Sequence, residues 1–156
     1  LGRAAVPTFY TDEMAAKIQL GKGVCVRDEQ KADGSYADAT VIATGIMVNE
    51  AMTAAEKLAE EGIEIRVIDM HTIKPLDKEI IIKAAKETGA IVTAEEHSVI
   101  GGLGSAVAEV TAQECPVKMA MVGQQDTFGE SGKPEELKAK YGMTAADIEK
   151  AVKKLV

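Results

Sequence analysis

The stretch Ala90–Glu114, AIVTAEEHSVIGGLGSAVAEVTAQE, constrains the fold more than any other part of the chain. Its first residues, Ala90–Thr93, form an apolar run that predicts a buried strand of a parallel sheet. The polar residues Glu95-Glu96-His97 follow, and the glycine turn Gly101-Gly102-Leu103-Gly104 leads into a helix predicted to begin at Ser105. Open α/β sheets place their working surface at the carboxyl ends of such strands. The stretch therefore predicts an α/β fold with either a ligand site or a protein-docking surface at this edge.

Strands and helices alternate along most of the chain. Gly62 and Gly89 are placed to end two helices, while Asp77 and Thr144 are placed to cap two others. Alternation of this kind requires right-handed crossovers and a mostly parallel sheet between helices. The predicted strands are 24–26, 39–44, 64–69, 90–95 and 117–122, and the predicted helices, with their caps, are 46–61, 77–86, 105–113, 134–141 and 144–156.

The first two strands predict a hairpin. Between them lies a polar loop that contains Asp33-Gly34, a dipeptide typical of turns that join antiparallel strands. The predicted fold is therefore a three-layer α/β/α domain with a five-stranded mixed, mostly parallel sheet, in which the two first strands form the antiparallel pair.

Composition excludes several classes of partner. The chain has 156 residues, a formal net charge of −7 and a pI near 4.9, so its surface repels nucleic-acid phosphates. No apolar run approaches the roughly 20 residues of a membrane span. Cys25 and Cys115 lie far apart and are expected to be reduced, buried thiols of a cytoplasmic protein. His71 and His97 lack nearby clustered ligands, so no metal site is expected.

The glycine turn does not fit a phosphate-binding loop. Val107 stands where the dinucleotide fingerprint needs a third small residue, and no Lys-Ser/Thr pair follows. The glycines are better explained as a turn that brings a helix close to a strand. Glu95, Glu96 and His97 have two interpretations, an acid–base cluster or an interface, and we favour the interface. His71 lies in a loop and is expected to be solvated.

Arg3 differs from these residues because it lies among small residues shortly before Pro7. An arginine in that setting suits a bidentate grip on a phosphate or a carboxylate. The residues alone leave a structural role for Arg3 open.

Five segments together resemble the C-terminal domain of transketolase-type thiamine diphosphate enzymes over nearly the whole chain. They are LGRAAVP, ATVIATGIMVNEA, IEIRVIDMHTIKPLD, AEEHSVIGGLGSAVAE and GQQDTFGESGKPEELKAKYGMTAADIEKAVKKL. The pieces TIKPLD and EEHSVIGGLGSAVAE are also similar to 1-deoxyxylulose-5-phosphate synthase and to the beta subunits of 2-oxoacid dehydrogenases. The tail DTFGESGKPEELKAKYGMT resembles transketolase itself, especially the split form whose C-terminal section is a separate polypeptide.

The resemblance implies a domain boundary and one substrate contact. Residues 1–23 would be the tail end of the pyrimidine-binding domain plus a linker, and residues 24–156 the transketolase C-terminal domain. Arg3 matches the family's arginine that grips the sugar phosphate, although Gly2 stands where serine is often found. The complete enzyme would use thiamine diphosphate and a divalent metal to transfer a two-carbon ketol unit between sugar phosphates.

The resemblance also implies what this chain does within that enzyme. It lacks the family's activating Glu and GDG-type metal motif, so we expect a non-catalytic piece of a longer protein that binds no cofactor itself. Its expected partners are the N-terminal section or missing cofactor-binding domains, and a second copy in a homodimer. The interface candidates are Glu95, Glu96, His97, Gly101, Gly102 and Gly104. The alternatives are a deoxyxylulose-phosphate synthase fragment or a dehydrogenase docking module.

Overall fold

A five-stranded sheet forms the centre of the protein in the computed structural model, which describes residues 8–156. The strand order is β1-β3-β2-β4-β5, and only β1 is antiparallel to its neighbour. The strands are β1 Val24–Arg27, β2 Ala39–Ala43, β3 Ile65–Asp69, β4 Ala90–Ser98 and β5 Lys118–Gln124. The predicted five-stranded, mostly parallel sheet is therefore confirmed.

Helices cover both faces of the sheet. They are α1 Asp12–Ala15, α2 Met47–Glu60, α3 Lys78–Thr88, α4 Leu103–Glu114, α5 Pro134–Lys140 and α6 Ala145–Leu155. One core cluster contains residues of α2 and α6, such as Met47 and Ile148, and a second contains residues of α3 and α4, such as Ile81 and Leu103. These two clusters make the predicted three layers. None of the helices among residues 8–156 is long and apolar enough to cross a membrane.

The helix ends are fixed by residues that the sequence analysis predicted as caps. The Asp77 carboxylate accepts a hydrogen bond from Ile80 N at the start of α3, and Gly89 ends that helix in the left-handed region with φ of 68°. Thr144 and Asp147 form a capping box at the start of α6. Such caps satisfy helix-end groups that otherwise lack partners, which is why these boundaries were predictable.

The strands in the middle of the sheet are buried on both faces. Every residue of β2 and β3 is buried, and neighbouring positions contribute to different clusters, as Val41 and Ile42 do. Alternation between two covered faces explains why these strands read as continuous runs of Val, Ile and Ala. The core is almost wholly aliphatic, and Phe9 packs against its first cluster from the segment before α1.

The predicted hairpin between the first two strands is wrong. β1 pairs antiparallel with β3, with Val24 opposite Asp69 and Cys25 opposite Ile68, while β2 lies parallel to β3 on its other side. The Asp33-Gly34 turn closes locally, since Ser35 N donates to the Asp33 carboxylate. A fully buried strand such as β2 suits the middle of the sheet, whereas the half-covered β1 suits its rim.

The prediction of two buried thiols is also wrong. Cys25 is exposed and Cys115 is only partly buried, and neither forms a disulfide. Cys25 is exposed because it lies on β1, the rim strand, and not in the middle of the sheet.

The register of β1 can be tested with an engineered disulfide. Directly opposed antiparallel residues have Cα atoms about 4.5–5.5 Å apart, within the range that a disulfide spans. With Cys115→Ser in the background, Ile68→Cys is expected to form a disulfide with Cys25 under mild oxidation, visible as a faster band on non-reducing gels.

Ile42→Cys is the matched control, because Ile42 is equally buried and pairs with Ile68 on the far side from β1. A disulfide from Ile42→Cys, and none from Ile68→Cys, would contradict the observed strand order.

Candidate docking surface at the carboxyl edge of the sheet

The polar residues that follow the apolar run belong to β4 itself, because that strand extends to Ser98. The Glu95 side chain is buried, with 1% of it exposed, whereas Glu96 and His97 are exposed. The His97 ring meets the backbone carbonyl of Ser98 through Nδ1 at 2.9 Å. The three residues that looked like one cluster in the sequence therefore have two different environments.

Glu95 holds the beginning of α4. Its Oε2 accepts a hydrogen bond from Leu103 N at 2.7 Å, and its Oε1 accepts one from Gly104 N at 2.8 Å. The N-cap residue of α4, Gly102, offers no side chain to these donors. A carboxylate is well suited to replace it, since the first N–H groups of a helix lack partners and the helix dipole favours negative charge there. Glu95 thus supports the turn from beneath the surface.

Each glycine of the turn has its own steric reason. Gly101 has φ of +77°, a left-handed conformation that side chains disfavour. A Cβ on Gly102 would lie 2.0 Å from the Glu95 Oε2, so any side chain would displace the carboxylate. A Cβ on Gly104 would lie 2.8 Å from the Met121 sulfur. The close approach of helix and strand that the glycines predicted is present.

Two large apolar side chains are exposed at this edge. Ile100, in the glycine turn, is 64% exposed, and Phe128, in the loop after β5, is 98% exposed. The two loops are neighbours, because Ser98 pairs with Gln124 where β4 and β5 end. The Phe128 loop is held by hydrogen bonds, including one from the Tyr141 hydroxyl to the Phe128 carbonyl at 3.1 Å.

An exposed phenylalanine and an exposed isoleucine in two neighbouring loops mark a surface suited to protein contact. We call this region, residues 96–101 together with 125–130, the carboxyl-edge surface. Of the six interface candidates, Glu96, His97 and Gly101 lie exposed on it. The other three, Glu95, Gly102 and Gly104, are buried directly beneath and set its shape.

A second arrangement at the carboxyl edge was missed by the sequence analysis. The Tyr10 hydroxyl donates a hydrogen bond to Asp69 Oδ2 at 2.5 Å, at the end of β3. Burial raises the pKa of the Asp69 carboxyl, and burial together with this hydrogen bond raises the pKa of Tyr10. The bond anchors the segment before α1 to the sheet. One indication of this arrangement was present in the sequence. A carboxylate, Asp69, stands at the end of β3, as Glu95 stands near the end of β4.

His71, predicted to be a solvated loop residue, is half-buried and therefore only partly solvated. Its Nε2 atom is buried and has no hydrogen-bond partner among residues 8–156, and the same holds for Asp69 Oδ1. His71 follows β3 and lies close to Asp69, where its electrostatic effect on the pKa of that carboxyl opposes the larger effect of burial. Position in a connecting loop did not imply exposure, because this loop begins at the buried end of a central strand.

The described residues do not fit a thiamine diphosphate site with its metal. Among residues 8–156, no group of three or more His, Cys, Asp or Glu side chains is arranged to hold a metal ion. The buried carboxylate closest to the glycine turn, Glu95, already uses both oxygens on backbone N–H groups. Arg3, the residue predicted to grip the substrate phosphate, lies outside the described residues.

Comparison with known proteins gives a consistent result. The family model described as the transketolase C-terminal domain matches residues 29–148. A 6-deoxy-6-sulfo-D-fructose transketolase subunit, SqwH, from Clostridium sp. (strain MSTE9) is 46% identical, over 93% of this chain and 43% of the relative. A putative transketolase C-terminal section from Methanocaldococcus jannaschii is 43% identical, over 92% of this chain and 43% of the relative.

Two further matches extend this comparison. A 1-deoxy-D-xylulose-5-phosphate synthase from Heliobacterium modesticaldum is 40% identical, over 92% of this chain and 21% of the relative. A solved structure described as a split gene transketolase, inactive beta4 tetramer, matches with a TM-score of 0.88 and 47% identity, over 99% of this chain and 48% of that one. The chain therefore spans less than half the length of these relatives.

The supporting role of Glu95 can be tested by neutralising it. Glu95→Gln keeps the size of the side chain but removes its charge and leaves only one acceptor for two backbone donors. We expect the free energy of unfolding to fall by about 1–3 kcal/mol, the cost of an unsatisfied buried donor, in urea titrations followed by circular dichroism.

Glu96→Gln is the matched control, because it makes the same chemical change at the next, exposed position. It is expected to alter the free energy of unfolding by less than about 0.5 kcal/mol. Equal effects of the two substitutions would show that Glu95 is not a structural cap.

Proposed function

The chain belongs to the transketolase C-terminal domain family, and we propose that it is the non-catalytic C-terminal section of a transketolase. The complete enzyme would transfer a two-carbon ketol unit between sugar phosphates, and its thiamine diphosphate and divalent metal would supply the carbanion chemistry when bound. The observation that carries this proposal is the match of almost the whole chain to a putative transketolase C-terminal section and to a split gene transketolase.

The geometry favours a structural, non-catalytic role for this section. The buried carboxylate at the end of the apolar run, Glu95, is a helix cap and is not free for acid–base work. What the same edge offers to other molecules is the carboxyl-edge surface, with Phe128 and Ile100 exposed. Apolar exposure of this kind suits contact with protein, and we propose that the rest of the enzyme docks there.

We propose that the partner is a polypeptide or domain that carries the cofactor-binding residues, and that the assembly contains two copies of each section. The solved relative is described as an inactive assembly of beta chains alone, which supports the idea that such a chain needs its partner. The net charge of −7 favours a protein partner over nucleic acid, because an acidic chain repels phosphate groups, and we propose that this assembly is cytoplasmic.

We propose that Arg3 reaches the substrate phosphate in the assembled enzyme, and that residues 1–23 connect it to the domain formed by 24–156. Within the described part of that connection, Phe9 packs on the core and Tyr10 bonds to Asp69. These two contacts hold residues 9 and 10 on the domain, which supports the proposal because a phosphate-binding residue must be accurately positioned.

A second candidate is favoured by one observation. The 40% identity to a 1-deoxy-D-xylulose-5-phosphate synthase covers 92% of this chain, so the same domain could serve that related reaction. The two candidates differ in product. A transketolase lengthens an aldose phosphate by two carbons, whereas the synthase makes deoxyxylulose phosphate.

The test is an assay of the complete enzyme with a ketose phosphate donor and an aldose phosphate acceptor. We expect an acceptor lengthened by two carbons, detected by mass spectrometry, only when this chain, its partner and thiamine diphosphate are all present. The same assay with this chain alone is the control and is expected to show no turnover.

A parallel assay replaces the ketose phosphate with pyruvate, because a 1-deoxy sugar needs a two-carbon unit without a hydroxyl group, which a 2-oxoacid supplies as it loses CO2. Deoxyxylulose phosphate from pyruvate, with no ketol transfer from the ketose phosphate, would favour the second candidate. Turnover by this chain without its partner would contradict the proposed non-catalytic role. Turnover by the partner at an undiminished rate without this chain would contradict the supporting role as well.

A further inference from the structure

Among residues 8–156, β1 and β5 are the two end strands of the sheet, and β5 is the better suited to receive a further strand. β1 has four residues and a register shift that disturbs its pairing, both of which discourage a further strand from adding there. β5 has seven residues, and Met119, Ala120 and Met121 in its middle are only partly buried. A strand of this length with one unpaired side can accept another extended segment.

The backbone groups on the open side of β5 can be identified. Gln124 O accepts a hydrogen bond from Val99 N, which places the groups of Gln124 on the β4 side. Because successive residues of a strand point their backbone groups to opposite sides, those of Gly123 and Met121 point away from the sheet. The Gln125 side chain covers both, donating from Nε2 to Gly123 O at 3.2 Å and to Met121 O at 3.4 Å.

These bonds from Gln125 are long, and one side-chain amide is shared between two carbonyls. Gln125 itself is exposed, so its side chain can rotate into solvent with little loss. The N–H groups of an incoming strand, at the usual 2.9–3.0 Å, would replace Gln125 with better geometry. Gln125 therefore acts as a removable cover over the open edge.

A groove of about 300 Å³ runs along this edge between β5 and α6. Its rim carries Lys150 and Lys154, one helical turn apart, and neither forms an ion pair within the described residues. The next lysine, Lys153, points elsewhere and pairs with Glu61. The acidic residue of the groove, Asp147, is already bonded to Thr144. The apolar residues that line the groove include Ala120, Val122, Tyr141 and Ala151.

Lys150 and Lys154 are exposed and give the rim of the groove positive charge, although the chain as a whole has a net charge of −7. Combined with outward carbonyls and an apolar floor, they define the chemistry of the occupant. We propose that the β5 edge binds an extended acidic segment of another polypeptide, which adds to the sheet as a sixth strand and places alternate carboxylates near Lys150 and Lys154. This interaction is separate from the proposed docking at the carboxyl-edge surface.

Fluorescence polarisation with the full protein tests the proposal, using a labelled VEVEVEV peptide as the probe. We expect saturable binding, binding at least tenfold weaker for VKVKVKV, and loss of binding when alternate amides of VEVEVEV are N-methylated. Gln125→Ala should tighten binding because it removes the cover. Hydrogen exchange at the Met121 and Gly123 amides should slow when the acidic peptide is added.

Charge-reversal variants on α6 and α3 distinguish binding in the groove from a general effect of the protein's charge. Lys150→Glu with Lys154→Glu should weaken VEVEVEV binding by roughly tenfold or more, as expected for two reversed surface charges. Lys83→Glu with Lys86→Glu is the matched control, because these lysines are exposed on α3 on the opposite face of the sheet. That control should leave the affinity within about twofold.

Three results would overturn the proposal. They are no binding to either wild type or Gln125→Ala, equal binding of the acidic and basic peptides, and unchanged exchange at Met121 and Gly123 in the presence of peptide. If Gln125→Ala instead dimerises in sedimentation experiments and the dimer protects those two amides, the occupant is a second copy of this chain and the proposed acidic segment is wrong.

Discussion

The hydrogen bonds between the Glu95 carboxylate and the first backbone amides of α4 organise the carboxyl edge of this protein. They join the end of β4 to the start of the next helix and leave no room for a side chain at Gly102. Because the carboxylate is buried and the donors belong to a helix terminus, charge, dipole and geometry all favour the same arrangement. The shape of the glycine turn, and thus the position of Ile100, follows from it.

At the carboxyl edge, Glu95 stabilises the turn from beneath, and other residues form the exposed surface. The carboxylate that might have served chemistry is committed to the backbone, while its neighbours Glu96 and His97 and the apolar Phe128 face outward. An edge built in this way has a rigid floor and an exposed, partly apolar top. Such a combination suits docking on protein, because a rigid surface loses little conformational entropy when a partner binds. The family to which the chain belongs is consistent with that role.

Much of the fold could be predicted because local signals agreed with one another. Asp77, Gly89 and the Thr144–Asp147 capping box each mark a helix end by chemistry that depends on a few neighbouring residues. The partner of β1 could not be predicted in the same way. The Asp33-Gly34 turn is local, whereas pairing with β3 depends on which strand of the finished sheet has a free edge.

The candidate site shows the same division between local and distant information. The glycines predicted a close approach of helix and strand, and this approach depends on residues adjacent in sequence. The different roles of Glu95 and Glu96 come from the direction of each side chain relative to α4, which a run of three polar residues does not reveal. The Tyr10–Asp69 hydrogen bond joins positions 59 residues apart, and nothing near either residue indicates the other.

The central claim is that the carboxyl-edge surface is covered by protein in the complete enzyme and does not hold a coenzyme. Hydrogen–deuterium exchange of this chain, measured alone, with thiamine diphosphate and magnesium, and within the complete enzyme, tests it directly. The claim predicts slower exchange at residues 96–101 and 125–130 only in the complete enzyme, with residues 82–87 of α3 unchanged. Slower exchange at the first two segments on adding the coenzyme to the isolated chain, or no change there on assembly, would contradict it.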